Sequence, residues 1–202
     1  MRYILFTFGC VVMCACTLAE GYNPRSGDII FHESRSAQSH AIQLATGSRY
    51  SHMGIVYVRD GKPVVFEAIQ PVKATPLGEW IARGNGGHFV VKRLKDADRI
   101  LSSDVLEGMF AVGESLAGLD YDLYFEWSDD RIYCSELVWK IYERGAGIQV
   151  GELQQIGDFD LSHPSVQQKI RERYGDALPA EEVVVSPQAI FAASNLETVY
   201  QN

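Results

Sequence analysis

The dipeptide Asp60-Gly61 lies between two β-prone runs, residues 52–58 and 63–69. Asp-Gly favours a two-residue type I′ turn, whose twist matches that of paired strands, so an antiparallel hairpin is expected here. Such a turn fixes the register, with Arg59 opposite Lys62, Gly54 opposite Glu67 and His52 opposite Ile69. Side chains alternate along a strand, so His52, Gly54, Glu67 and Ile69 share one face of the ribbon. His52 and Glu67 become diagonal neighbours, roughly 5–8 Å apart at Cβ, and Gly54 carries nothing to come between them. Glu67 also sits in an otherwise apolar run, where a charge without a partner is costly. A three-residue loop would reverse the parity and send Glu67 to the opposite face. The plainer alternative is an exposed face that happens to carry two polar residues.

The rest of the chain mixes strands and helices without regular βαβ alternation, which predicts an α+β fold. Residues 28–32 read as a short strand. Residues 36–46 read as a helix with Ala37, Ile42, Leu44 and Ala45 available for burial and Gly47 as its stop. Thr75-Pro76 reads as the cap of a short helix through Trp80 and Ile81, and residues 88–94 as a strand. Residues 103–117 form an amphipathic helix presenting Leu106, Phe110 and Leu116 and ending at Gly118. An aromatic and acidic loop, 121–133, leads into a helix from Cys134 to Arg144 that closes at Gly145. Helix signals recur at Pro164–Tyr174 and from Ser186-Pro187 to Ala193. The tail 151–202 reads as a C-terminal flank packing on a single domain.

The amino terminus reads as a targeting leader. Arg2 supplies the positive region, Tyr3 to Ala15 form a mostly apolar run, and small residues follow. Met13-Cys14-Ala15-Cys16 resembles a lipobox, so residues 1–15 are expected to leave and Cys16 to be lipidated. Cleavage after Ala19, removing residues 1–19, is the rival. The expected location is the bacterial cell envelope, membrane-anchored through Cys16 or, on the rival reading, periplasmic or secreted. The mature domain then runs over 16–202. The chain carries 18 Lys and Arg against 26 Asp and Glu, a formal charge of −8, which argues against nucleic acid as a partner.

Either cleavage leaves Cys134 as the sole free thiol, because Cys10 and Cys14 depart and Cys16 is acylated or removed. A single thiol in an oxidising compartment is either an inert core group or a reactive one. At the start of a helix its sulfur meets unpaired N–H groups and the positive end of the dipole, which favours thiolate and supplies donors for an oxyanion. A nucleophilic thiol also needs a base and the base an orienting group. Of the five histidines, His32, His40, His52, His88 and His163, the hairpin singles out His52, with Glu67 to fix its tautomer and stabilise imidazolium. His32-Glu33 and His40 lack convincing ligand spacing, so neither metal nor cofactor is expected. Asp28 reads as a strand-entry group, and Asp129 and Asp130 as caps or loop-shaping residues before Cys134. Tyr124, Phe125 and Trp127 read as core aromatics or groove walls.

Five segments, Ser26–Phe31, Tyr50–Gly54, Phe66–Ala68, Gly118–Asp122 and Tyr133–Val138, occur in the order and spacing of the YiiX/YaeF group of permuted papain-like enzymes, which the chain resembles over nearly its whole mature length. These enzymes are relatives of NlpC-type cell-wall peptidases and of lecithin:retinol acyltransferase. The resemblance implies a circularly permuted papain-like fold, an antiparallel sheet packed against the helix that carries the nucleophile. It implies Cys134 as nucleophile, His52 as base, Glu67 as the orienting residue, and Tyr121 lining the site with a possible contact to the oxyanion. The implied function is an envelope thiol hydrolase cleaving an amide through an acyl-enzyme, in a peptide, a peptidoglycan stem peptide or an N-acyl substrate. A lipid acyltransferase or esterase, and a non-catalytic binding module, are the competing readings.

Overall fold

The computed structural model describes residues 21–202. The leader and Cys16 lie outside the described residues. In chain order the elements are β1 (Ile29–His32), α1 (Ala37–Thr46), β2 (His52–Arg59), β3 (Lys62–Glu67), β4 (Lys73–Pro76), α2 (Leu77–Arg83), β5 (Phe89–Leu94), α3 (Ala97–Ile100) and α4 (Ser103–Leu116). They continue with β6 (Asp120–Tyr121), β7 (Arg131–Ile132), α5 (Cys134–Ala146), β8 (Gln154–Gln155), α6 (Pro164–Tyr174), β9 (Val183–Val184), α7 (Pro187–Phe191) and β10 (Leu196–Gln201).

A six-stranded sheet in the order β10-β5-β1-β2-β3-β4 is the centre of the molecule, and each of its adjacent pairs is antiparallel. Alternation divides its side chains between two cores. Ile29, Phe31, Met53, Ile55, Tyr57 and Val90 join the larger core with Leu137, Val138 and Ile141 of α5 and Met109 of α4. Ile30, Val56, Val65 and Val91 face the other way, into a smaller core closed by Leu77 and Trp80 of α2. Buried Asp28 ties the edge of this second layer together, accepting from Tyr22 at 2.8 Å and from two guanidinium nitrogens of Arg93 at 2.6 and 2.8 Å. It is a structural anchor between β1 and β5.

The hairpin turns at Asp60-Gly61, both with positive φ (49° and 72°). Its register runs from Arg59↔Lys62 to Ile55↔Phe66, the parity that the two-residue turn demands. The ladder stops there. Ile69 is in no strand, so the expected His52–Ile69 pair does not form, and the chain swings through Pro71 into β4. That strand was not legible, because Thr75-Pro76 looked like a helix cap. Thr75 instead lies in β4 opposite Val65, and Pro76 caps α2 with no side-chain bond.

Two further boundaries differ. Helix α5 does not close at Gly145 but runs to Ala146, with left-handed Gly147 (φ 66°) as its cap. Gly145 is needed for another reason: a Cβ there would fall 2.4 Å from the Cα of Met109, so this glycine lets α4 and α5 touch backbone to backbone. The 121–133 segment is not wholly irregular, since β6 and β7 pair in parallel. The tail from 151 contributes α6, α7 and the edge strand β10, which pairs with β5.

Candidate active site

Helix α5 and the hairpin meet where β2 begins. Cys134 is the first residue of α5 and is buried. Tyr133 precedes it in extended conformation, and the backbone N–H of Tyr133 donates to the Glu136 carboxylate at 3.4 Å, holding the first turn in place. Asp129 does not cap this helix. It reaches Lys140 at 2.8 Å and Arg144 at 2.9 Å, and Lys140 also pairs with Glu136 at 2.7 Å. These bonds clamp the loop before Cys134 onto α5. Burial drives the Glu136 carboxyl up to about 7 despite Lys140.

His52 is the first residue of β2, and its Nε2 lies 2.7 Å from Glu67 Oε2. Cys134 lies near the same ring, close enough to bear on its charge. Imidazole and carboxylate are joined directly, and the thiol lies beside them. Gly54 is necessary to this contact, because a Cβ there would lie 3.3 Å from Glu67 Cβ and 2.8 Å from the Phe66 carbonyl oxygen.

Glu67 is fully buried, which would be prohibitive for an unpaired carboxylate. Its second oxygen accepts from Thr75 Oγ1 at 2.6 Å and from the Arg83 guanidinium. Burial alone would raise its carboxyl, but the bonds from His52 and Thr75 and the charges of His52 and Arg83 outweigh it and hold it at about 2. For His52, burial opposes the charge, whereas hydrogen bonds and charges at Cys134 and Glu67 more than restore it, raising the ring to about 9. The imidazolium form is thus favoured near neutral pH.

Thr75 and Arg83 were not anticipated. Neither residue type is unusual in its segment, and no sequence spacing links them to residue 67. The β3–β4 register makes Thr75 a diagonal neighbour of Glu67, and α2 returns Arg83 to the same carboxylate.

His32 pairs with His52 across β1 and β2, their rings 5.2 Å apart, and stacks on Trp80 at 4.0 Å. Burial, with the charges of His52 and Arg83, takes its pKa down to about 3, so it is a neutral ring beside a charged one. Tyr121 receives a hydrogen bond from Gln38 Nε2 at 3.1 Å. Its hydroxyl stays protonated because burial and the neighbouring Cys134 raise it well above its ordinary value. With Gln38 occupying an acceptor position, the Tyr121 proton is free to be donated elsewhere.

Cys134 and Tyr121 open onto a cavity of about 130 Å³ lined by α1, α6 and the segment 156–187. Ile42, Phe159, Leu161, Val166, Ile170 and Phe125 make it predominantly apolar. Here the sequence expectation for α1 is corrected: Ala37 is exposed, and Ile42 and Ala45 remain half-buried on the wall of this cavity. Phe125 is a groove wall, Trp127 packs on Trp139 at 5.3 Å, and Tyr124 is 40% exposed. His40 and His163 lie 6.5 Å apart away from Cys134, and His88 stacks near Tyr50.

A cysteine at a helix start, facing an imidazole that a carboxylate holds from an antiparallel sheet, is the arrangement of papain-like cysteine hydrolases. Here the histidine strand precedes the cysteine helix in the chain. The protein belongs to the permuted papain-like amidase family YaeF/YiiX, C92, which matches residues 23–200. It is 51% identical over 181 residues to the YiiX protein of Escherichia coli K12, covering 90% of this chain and 88% of that one. The crystal structure described as the metalloprotein YiiX from Escherichia coli O157:H7 superposes with a TM-score of 0.86 at 51% identity, covering 90% of this chain and 99% of that chain.

Proposed function

We propose that this enzyme is a thiol amidase that hydrolyses an N-acyl bond through a Cys134 acyl-enzyme. The observation that carries the reading is the His52 ring held 2.7 Å from Glu67, with Cys134 near it on the wall of an apolar cavity. Cys134 thiolate attacks the carbonyl carbon. The α5 N-terminus and the Tyr121 hydroxyl face the developing oxyanion, and His52 protonates the departing nitrogen. Water then enters with His52 as base. Glu67, held by Thr75 and Arg83, keeps the imidazole oriented and charged.

The apolar lining favours an acyl chain over a polar peptidoglycan stem peptide. It equally suits a lipid acyltransferase, and the acceptor distinguishes the two: water for the amidase, an alcohol or amine for the transferase. Incubation with a panel of N-acyl amides, muropeptides and lipid esters tests the reading. Mass spectrometry should find an acyl adduct on Cys134 that is absent from Cys134→Ala, with free fatty acid as product. An adduct on another residue, or none with any member of the panel, would overturn it.

The related Escherichia coli protein is described as a metalloprotein. Among the described residues here, no group of three or more His, Cys, Asp or Glu side chains could hold a metal ion. Both oxygens of Glu67 are also already engaged, by three donors in all. These residues do not fit a metal centre. The leader supports export, with Cys16 as the lipidation site. Intact mass of the mature amino terminus separates a diacylglyceryl Cys16 from a free terminus after Ala19.

A further inference from the structure

We infer that Arg173 makes an anion subsite in the acyl cavity, so that the amide substrate carries a carboxylate next to its scissile bond, as an N-acyl amino acid does. This rests on the amidase reading and narrows it.

Arg173 lies in the last turn of α6 and is half-buried on the wall of the cavity that holds Cys134 and Tyr121. Its guanidinium sits over the Phe125 ring, 5.1 Å from the centroid. Phe125 in turn meets Tyr133, the residue before Cys134, edge-on at 5.2 Å. Phe125 adopts φ 56°, an uncommon conformation for a side chain of this size, and it places the ring under the guanidinium. Arg173 shares this cavity wall with Tyr121 and Cys134, and its charge acts on the Tyr121 hydroxyl.

Among the described residues no carboxylate oxygen comes within ion-pair distance of this guanidinium, and Glu172 acts on it only from further away. Lys169, the other cation on the wall, is engaged by Glu172, whereas Arg173 joins no ion pair among the described residues. A guanidinium among apolar walls without an anion is an unmet demand, and a carboxylate meets it with two parallel hydrogen bonds. The chain's charge of −8 repels anions at long range, so an anionic substrate needs a local cation of this kind.

The chemistry balances as hydrolysis. The Cys134 sulfur bonds to the acyl carbon, the C–N bond breaks, and the amino acid nitrogen takes a proton from His52. Water then adds to the thioester, gives one proton to His52, and releases the fatty acid as sulfur leaves. Throughout, the substrate carboxylate stays on Arg173 and is chemically unchanged.

N-decanoylglycine and N-decanoylglycinamide differ at the carboxylate alone, so the ratio of their kcat/KM values reads the subsite. The wild-type ratio should favour the acid by about tenfold or more. It should fall towards one in Arg173→Met and recover in part in Arg173→Lys, which restores charge without the planar fork. Arg171→Met, altering an exposed arginine of the same helix, should keep the wild-type ratio. A wild-type ratio near one, or a preference that survives Arg173→Met, overturns the inference while leaving the amidase intact. Calorimetry on Cys134→Ala separates the two failures. If the wild type cleaves neither compound, yet Cys134→Ala binds the acid more tightly and loses that preference with Arg173→Met, the subsite stands and the amidase reading does not.

Discussion

Glu67 shows how a single side chain gives the site its pH range. It is buried without residual exposure, accepts three hydrogen bonds, and remains ionised down to about 2. His52 is raised from 6.5 to about 9. The stabilisation that His52 gains from its partners is therefore complete below 6.5 and lost as pH rises through 9. That of Glu67 is complete above 4.5 and lost as pH falls through 2. Turnover in the wild type should decline above about pH 9, where His52 no longer holds the proton that the leaving nitrogen needs; a stopped pH series of kcat/KM measures this. In Glu67→Gln that alkaline limb should move towards neutrality, because a carboxylate that raised the imidazole is gone. His52→Ala should lower the rate by about 10²–10⁴, with iodoacetamide labelling of Cys134 near neutral pH falling in step. Equal labelling of the two proteins would contradict the pairing of thiol and imidazole.

Two glycines at the end of α5 separate two physical demands on an element. At Gly145 the demand is space, since any Cβ collides with the Met109 backbone where α4 crosses. At Gly147 it is conformation, since φ is 66° and nothing lies within 4 Å of a Cβ. Gly145→Val should lower the unfolding free energy by about 1–3 kcal/mol or more through forced separation of the helices. Gly147→Ala should cost only about 1 kcal/mol through backbone strain. Urea denaturation of both variants gives the comparison, and equal losses would refute the distinction. The sequence placed the stop at Gly145, two residues before the glycine that makes it. A helix signal marks small residues, but only the neighbouring helix distinguishes a crossing point from a cap.

Across the whole molecule, the candidate site depends on strands contributed from distant parts of the chain. β10, at the far carboxyl end, covers the edge of β5, which pairs with β1, which pairs with the His52 strand. Removing residues 196–202 strips β5 of its outer partner and uncovers Val90, Val91 and Leu94. Thermal melts followed by circular dichroism should show a lower midpoint, and the bared edge should increase aggregation. An unchanged midpoint would show that β10 is dispensable.

The sequence by itself put residues 52 and 67 on one face of the hairpin. An Asp-Gly turn of two residues and a side-chain period of two give this register, which only a longer loop would reverse, and that register is local. It also determined the helix that begins at Cys134, from its punctuation and amphipathic spacing. Only the tertiary structure decided that Thr75 and Arg83 close around Glu67, that His32 and Trp80 stack beside His52, and that α1 spends its apolar residues on a cavity instead of a core. Those contacts join segments whose separation is set by packing and strand order. No periodicity along the chain encodes which surfaces meet once it has folded.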